Sequence, residues 1–374
     1  VALSADLTPT ARLVEFKETY PDRFFDVGIA EQNLIDFTAG LALEGLRPYA
    51  VGLAAMVPMR PAEQMRAALG YMKANATIIG IEAGVRFGPL GNTHYAMDDI
   101  AVVRAIPNFT VIAPSDPLST YKALYACADH VGPVYVRLTG GPGYPVMYPE
   151  DFEFKIGKAI EYRPGSDVAF VSSGSLLGDA VGAADILESK GISTRVVDMH
   201  TIKPLDTEML DRVFAENALV VTVEEHSSVG GLGGAVAEYK AGFTNAPKQV
   251  IASLGDKFQK LGDHAFLMKE NGLTAPDLAA LAEANLQTQG QDRRFCRAVM
   301  GASRQSAASA PREARPHGSL GGRGVKVIAA FDVAEVERTS DENPPAGVLQ
   351  EVEDPGLLFH PGSAPGDALR TSVA

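Results

Sequence analysis

Phe25 to Asn33 reads Phe-Asp-Val-Gly-Ile-Ala-Glu-Gln-Asn and sets one carboxylate where carboxylates are uncommon. Glu31 follows a short apolar strand-like run, Arg23 to Ile29, and opens a helix-like segment, Gln32 to Leu43, rich in Ala, Leu and Ile. A carboxylate enclosed at such a point is a candidate for proton chemistry. The alternative is an ordinary acid in a first helical turn, where the dipole favours negative charge. His94 ends the turn Gly91-Asn92-Thr93-His94, where an imidazole can shuttle a proton, donate a hydrogen bond, or simply bond to backbone. Arg137 lies at the end of a strand-like run; arginine serves both in anion binding and in surface ion pairs. The turn Gly230-Gly231-Leu232-Gly233-Gly234 precedes a helical stretch and suits either a phosphate at a helix start or close packing. His200 and His226 read as structural or interface residues.

These groups need a frame. From Val1 to about Met147, short apolar strands alternate with helical stretches. The strands are expected at Val1 to Ser4, Arg47 to Leu53, Ala76 to Ile81, Thr110 to Ala113 and Val134 to Leu138. Amphipathic runs such as Pro61 to Tyr71 and Leu118 to His130 lie between them. That alternation predicts a parallel sheet covered by helices on both faces. Asp116-Pro117 is a helix start, with Ser115 or Asp116 as its cap. Gly140 to Pro149 reads as a linker. A second, smaller α/β unit follows, with strands at Val168 to Ser172, Ser193 to Asp198 and Leu219 to Glu224, closing near Ala282 to Asn285. From about Gln287 the chain is rich in Gly, Pro, Ser and Arg, first basic and then acidic, and is expected to be mostly disordered. Only Val325 to Val333 has strand character there.

The chain has 374 residues, enough for two or three domains with full cores. Its net charge of −13 argues against nucleic acid or an anionic membrane surface as the main partner. Cys127 and Cys296 are far apart and lack metal-ligand spacing, which suits a reducing cytoplasm and predicts no metal held by this chain. No apolar run reaches the roughly 18 residues of a membrane span. The N-terminus, Val-Ala-Leu-Ser-Ala-Asp-Leu, lacks an initiator Met and a signal segment, and it reads as a strand entered mid-domain.

Several runs occur in order over roughly residues 1 to 286. They are Phe25 to Asn33, Gly91 to His94, Asp99-Ile100-Ala101 with Arg104-Ala105-Ile106-Pro107-Asn108, Val197 to Asp206, and Glu224-Glu225-His226 with its glycine turn. Together they resemble the transketolase family, and above all the C-terminal subunit of split transketolases. The resemblance implies two parallel-sheet α/β domains, a pyrimidine-binding domain at residues 1–147 and a transketolase C-terminal domain at 148–286, then the tail 287–374. It implies thiamine diphosphate, shared across a subunit interface, with Glu31 bonding N1′ of the aminopyrimidine. His94 is then expected to face the substrate, and Arg137 to help hold a sugar phosphate.

Three positions depart from the family. Aromatic residues that stack on the pyrimidine are missing from Val51 to Arg60, which leaves Leu53 and Met56 as the nearest ring contacts. Leu90 stands where an acid reads a sugar hydroxyl. Glu82 replaces a histidine that meets the donor's phosphate, with Arg86 near enough to offset its charge. No Gly-Asp-Gly occurs in the chain, so Mg²⁺ and the diphosphate are expected on a partner, the transketolase N-terminal subunit, in a dimer of heterodimers. The implied reaction moves a two-carbon ketol unit from a ketose to an aldose, usually phosphorylated, and the chain alone is expected to be inactive. A 2-oxoacid dehydrogenase β subunit shares the layout. Deoxyxylulose-phosphate synthase shares Val27 to Gln32 but is a single chain. A regulatory or scaffolding subunit without chemistry is the alternative of a different class.

Overall fold

Runs of β-branched and apolar residues bounded by Gly, Pro or Asn make the strands, and the amphipathic stretches between them make the helices. The computed structural model describes residues 1–139 and 145–286. In chain order the first strands are β1 (Ala2–Ser4), β2 (Phe24–Asp26), β3 (Tyr49–Leu53), β4 (Thr77–Ile81), β5 (Thr110–Ile112) and β6 (Val134–Arg137). Then come β7 (Ile160–Arg163), β8 (Val168–Ser172), β9 (Thr194–Asp198), β10 (Thr201–Lys203), β11 (Leu219–Val223) and β12 (Lys248–Ala252). All the described residues belong to one compact unit.

They form two sheets, ordered β10-β5-β6-β4-β3-β1-β2 and β12-β11-β8-β9-β7. Strands β1 to β6 pair with one another only in parallel, as do β8, β9, β11 and β12. The antiparallel members are edges: β7 along β9, and β10 along β5. Every residue of β8, β9 and β11 is buried, as expected of parallel strands covered on both faces. The expected fold class, two α/β sheets of mainly parallel strands, is what the chain adopts.

Three strands lie outside the sequence reading. β7 and β12 are partly exposed edges with weak alternation. β10 has three residues, and it crosses from the second sheet's part of the chain to the edge of the first sheet, with Thr201 opposite Ile112. The expected helix at Pro61 to Tyr71 is a short α turn, Ala62–Gln64, running into a π-helix, Met65–Tyr71. Asp116 does cap the helix Pro117–Asp129: its Oδ1 accepts from the Ser119 amide at 2.7 Å, and Ser119 Oγ accepts from the Asp116 amide at 2.9 Å. No described helix is long and apolar enough to cross a membrane. The tail from Gln287 and part of the linker, residues 140–144, lie outside the described residues.

Parallel register brings the strand ends level. Leu53 at the end of β3 pairs with Ile81 at the end of β4, and Gly80 with Arg137 at the end of β6. Loops leaving this edge occupy the position where parallel α/β sheets bind ligands.

Candidate functional site at the carboxyl edge of the first sheet

Three loops leave this edge. The first joins β2 to the helix Glu31–Leu43. Asp26 anchors it: Oδ1 accepts from the amides of Asp6 and Gly28, each at 3.0 Å, and Oδ2 from Thr8 Oγ1 at 2.8 Å. Burial opposes the Asp26 charge, yet these hydrogen bonds hold its carboxyl below the ordinary value. Gly28 takes φ +71°, a left-handed turn that an L side chain rarely adopts. Three residues on, Glu31 begins the helix at 6% exposure. Its Oε2 has no hydrogen-bond partner. Arg60 Nε lies 3.3 Å from it, close enough for an ion pair but without hydrogen-bond geometry. The Arg60 side chain is 57% exposed, so water competes for that contact.

The second loop leaves β3 at Leu53 and carries Met56 and Arg60. Met56 N donates to Leu53 O at 2.9 Å, and Ala54 N to Ile81 O at 2.8 Å, which fastens the turn to β4. A Cβ on Gly52 would sit 1.9 Å from Val57 Cγ2, so only glycine allows this chain reversal. Leu53 and Met56 stay half-buried. Through Arg60, this loop reaches Glu31.

The third loop runs from Glu82 to Ala96, closed at its base by the pairing of Gly84 with Ala96. Glu82 adopts φ +54°, a strained conformation for a residue with a side chain. Its Oε2 is 3.9 Å from Arg86 Nε, with both side chains 23% exposed. Burial raises the Glu82 carboxyl above its ordinary value, and Arg86 opposes the shift. His94 is half-buried, with Nδ1 3.0 Å from Thr93 Oγ1 and its ring edge-on to Phe87. Leu90 is exposed.

Glu31, Leu53 and Met56 therefore share adjacent loops with Arg86 and His94 along one sheet edge. Arg137 does not join them. It is 3% exposed. Its Nε donates to Asp99 Oδ2 at 2.8 Å, and one terminal nitrogen reaches the Ala96 and Glu225 carbonyls, each at 2.9 Å. Burial removes this arginine from the surface where a sugar phosphate could meet it, and its fork joins the two halves of the molecule. Sequence spacing hides this because Asp99 and Glu225 lie far along the chain.

The second sheet's motifs are also structural. His200 stacks on Phe154 at 4.1 Å between ring centres, and burial holds it down to about 4. His226 is fully buried and likewise lowered to about 4, chiefly by burial. The amides of Leu232 and Gly233, where a phosphate could have docked, are taken by Glu224 at 2.7 and 2.8 Å. Sequence alone assigns no role to Arg60 or Glu225; the unusual position of Glu31 is a signal only for the first.

The residues fit one end of a thiamine cofactor. Glu31 Oε2 is a buried acceptor without a hydrogen-bond donor, and Leu53 and Met56 are half-buried apolar side chains on the neighbouring segment. Among the described residues no group of three or more His, Cys, Asp or Glu is arranged to hold a metal ion.

Fold and site together define a parallel-sheet α/β protein with a buried acid among its carboxyl-edge loops. Residues 1–141 match the transketolase pyrimidine-binding domain, and residues 157–278 the transketolase C-terminal domain. The chain is 37% identical over 281 residues to a transketolase C-terminal section of Methanocaldococcus jannaschii, covering 75% of this chain and 88% of that protein. It is 36% identical over 286 residues to an apulose-4-phosphate transketolase subunit of Actinobacillus succinogenes, covering 75% and 91%. A solved split-gene transketolase, described as an inactive β4 tetramer, superimposes with TM-score 0.69 at 37% identity, covering 77% of this chain and 91% of that one. The chain belongs to the transketolase family.

Proposed function

We propose that this chain is the pyrimidine-binding and C-terminal subunit of a split transketolase. With a partner that binds the diphosphate and Mg²⁺, it would transfer a two-carbon ketol unit from a ketose to an aldose. The division at residues 1–147 and 148–286, with 287–374 outside the catalytic body, belongs to the same reading. The observation that carries it is the buried Oε2 of Glu31 at the carboxyl edge of the first sheet, which receives no hydrogen bond and meets only the largely exposed Arg60. The names of two relatives support the subunit reading: a transketolase C-terminal section, of which 88% is matched, and a transketolase subunit, of which 91% is matched.

Thiamine diphosphate, when bound, supplies the carbanion chemistry of C–C cleavage and formation. The chain's own residues then have defined tasks. Glu31 Oε2 accepts a hydrogen bond from the pyrimidine N1′ position and holds that proton in the low-dielectric start of its helix. Leu53 and Met56 cover the ring and exclude water. His94 exchanges a proton, or shares a hydrogen bond, with an oxygen of the sugar. Arg86 is the loop cation for an anionic end of the substrate, and Glu82 weakens it. The relatives include an apulose-4-phosphate transketolase subunit and a 6-deoxy-6-sulfo-D-fructose transketolase subunit, which supports a sugar with an anionic group. The solved relative described as an inactive β4 tetramer supports dependence on a partner.

The test is co-expression with a diphosphate-binding transketolase subunit, followed by a ketol-transfer assay. The wild-type complex should be active, and Glu31→Gln should lose about 10²-fold or more in kcat. An assembled complex that binds no thiamine diphosphate, or a fully active Glu31→Gln complex, contradicts the reading.

A further inference from the structure

The loop that carries Glu82, Arg86 and His94 springs from the first sheet and is closed there by Arg137 at Ala96, yet further fixings come from the second half of the molecule. Glu225 follows β11 and is 2% exposed. Its Oε1 accepts from the Val85 amide at 2.8 Å, across 140 residues of chain. The same oxygen lies 3.1 Å from His264 Nε2, and Ser175 Oγ donates to Oε2 at 3.4 Å. Burial alone would lower His264, but the hydrogen bond and charge of Glu225 hold it above the ordinary imidazole value. A Cβ on Gly84 would lie 2.1 Å from Glu225 Oε1, so the loop backbone and this carboxylate meet in direct contact.

The far side of the loop is held in the same way. Asn92 Nδ2 donates to Gln259 O at 2.9 Å, and Gln259 N returns a bond to Asn92 Oδ1 at 2.8 Å. Tyr95 donates from its hydroxyl to Gly88 O and, at 3.2 Å, to Lys260 O. Val85 and Tyr95 are buried in the core of the second sheet, whereas Leu90 at the crest stays exposed. The first sheet supplies the crest residues and closes the loop's base, and the second half adds a grip at Val85, Asn92 and Tyr95.

We infer that Glu225, braced by His264, is a positioning residue for the substrate-facing loop, so that the second half of the chain sets how the sugar is held. This rests on the split-transketolase reading for what the loop meets, but the grip itself can be measured without the reaction. The positioning costs little reorganisation at binding because the carboxylate is already enclosed and fully engaged.

Two measurements test it. The first is amide hydrogen exchange on the full chain alone. Glu225→Ala should speed exchange across residues 84–96 by about tenfold or more, while the helix Glu31–Leu43 and strand β8 keep wild-type protection. Glu225→Gln, which keeps the volume and an acceptor for Val85, should restore most of the protection. Equal acceleration throughout the second sheet, or none in residues 84–96, would overturn the inference whether or not the chain is an enzyme. The second is kinetics of the co-expressed complex. Glu225→Ala should raise the sugar KM about tenfold and lower kcat by less, with thiamine diphosphate affinity unchanged, because Glu31 sits on another loop. Wild-type KM with a released loop, or equal loss of cofactor and sugar binding, sinks it. A wild-type complex with no activity counts against the proposed function and leaves the exchange result to decide this one.

Discussion

Glu82 meets Arg86 at 3.9 Å, a long contact between two half-buried side chains. A carboxylate so close to the loop's cation weakens the field that an anionic sugar would feel. Glu82→Gln removes that charge and keeps the side-chain size. It should lower KM for a phosphorylated ketose roughly five- to tenfold, on the order of 1 kcal/mol, and leave an uncharged ketose unaffected. Steady-state kinetics on the two sugars would show it, and equal KM changes for both would rule the charge out as the cause. Single residues also mark where sequence reasoning stops. Glu31 is legible because an acid between an apolar strand and an apolar helix violates the local pattern. Arg137 is legible only as an arginine at a strand end; Asp99, which decides its role, is 38 residues away. Glu225 stands inside a motif, but its contact with Val85 spans 140 positions and leaves no local trace.

Among the elements, the helix Pro117–Asp129 shows local chemistry and tertiary structure reinforcing each other. Asp116 caps it through Oδ1, while Oδ2 accepts from the amides of Met147 and Tyr148, each at 2.9 Å. The cap alone contributes about 1 kcal/mol, and losing the second pair leaves two buried amides unsatisfied. Asp116→Ala should therefore cost roughly 3 kcal/mol, and Asp116→Asn about half of that, read from urea unfolding midpoints. A cost near 1 kcal/mol for Asp116→Ala, on the order of a lone cap, would reduce Asp116 to that role. Most strands are readable because buried parallel strands are continuous apolar runs, as in Val-Ala-Phe-Val-Ser and Leu-Val-Val-Thr-Val. The edges β7, β10 and β12 are not, since an edge strand is defined by the neighbour it finds. The π-helix at Met65–Tyr71 looks like ordinary helix in sequence because its apolar spacing differs little over so short a run.

Taken whole, the molecule buries ionisable groups of both kinds. His200 and His226 sit at about 4, below the ordinary value of roughly 6.5. Their folded values are depressed, so their contribution is present above pH of about 6.5 and is lost as pH falls toward 4. Asp198 and Glu224 are raised by burial to about 7, so the folded chain holds protons there that the unfolded chain releases. Their contribution is present below pH of about 4 and is lost as pH rises through about 7. The two pairs oppose each other in the same window. Replacing His200 by Leu removes one of the depressed groups. The stability gap between wild type and His200→Leu should then narrow as pH falls from about 6.5 to 4, by a few kcal/mol at most. Chemical denaturation at several pH values would measure it, and a constant gap would mean that His200 titrates normally.

Strand β10 gives the first sheet an edge that it does not itself encode. A chain cut after residue 147 would leave bare the amides and carbonyls of β5 that face β10, an invitation to pair with other chains. Fission, fusion or domain exchange that separated the two sheets would therefore uncover this edge. The three residues Thr201–Lys203 thus tie the finished edge of the first sheet to chain that lies beyond residue 147.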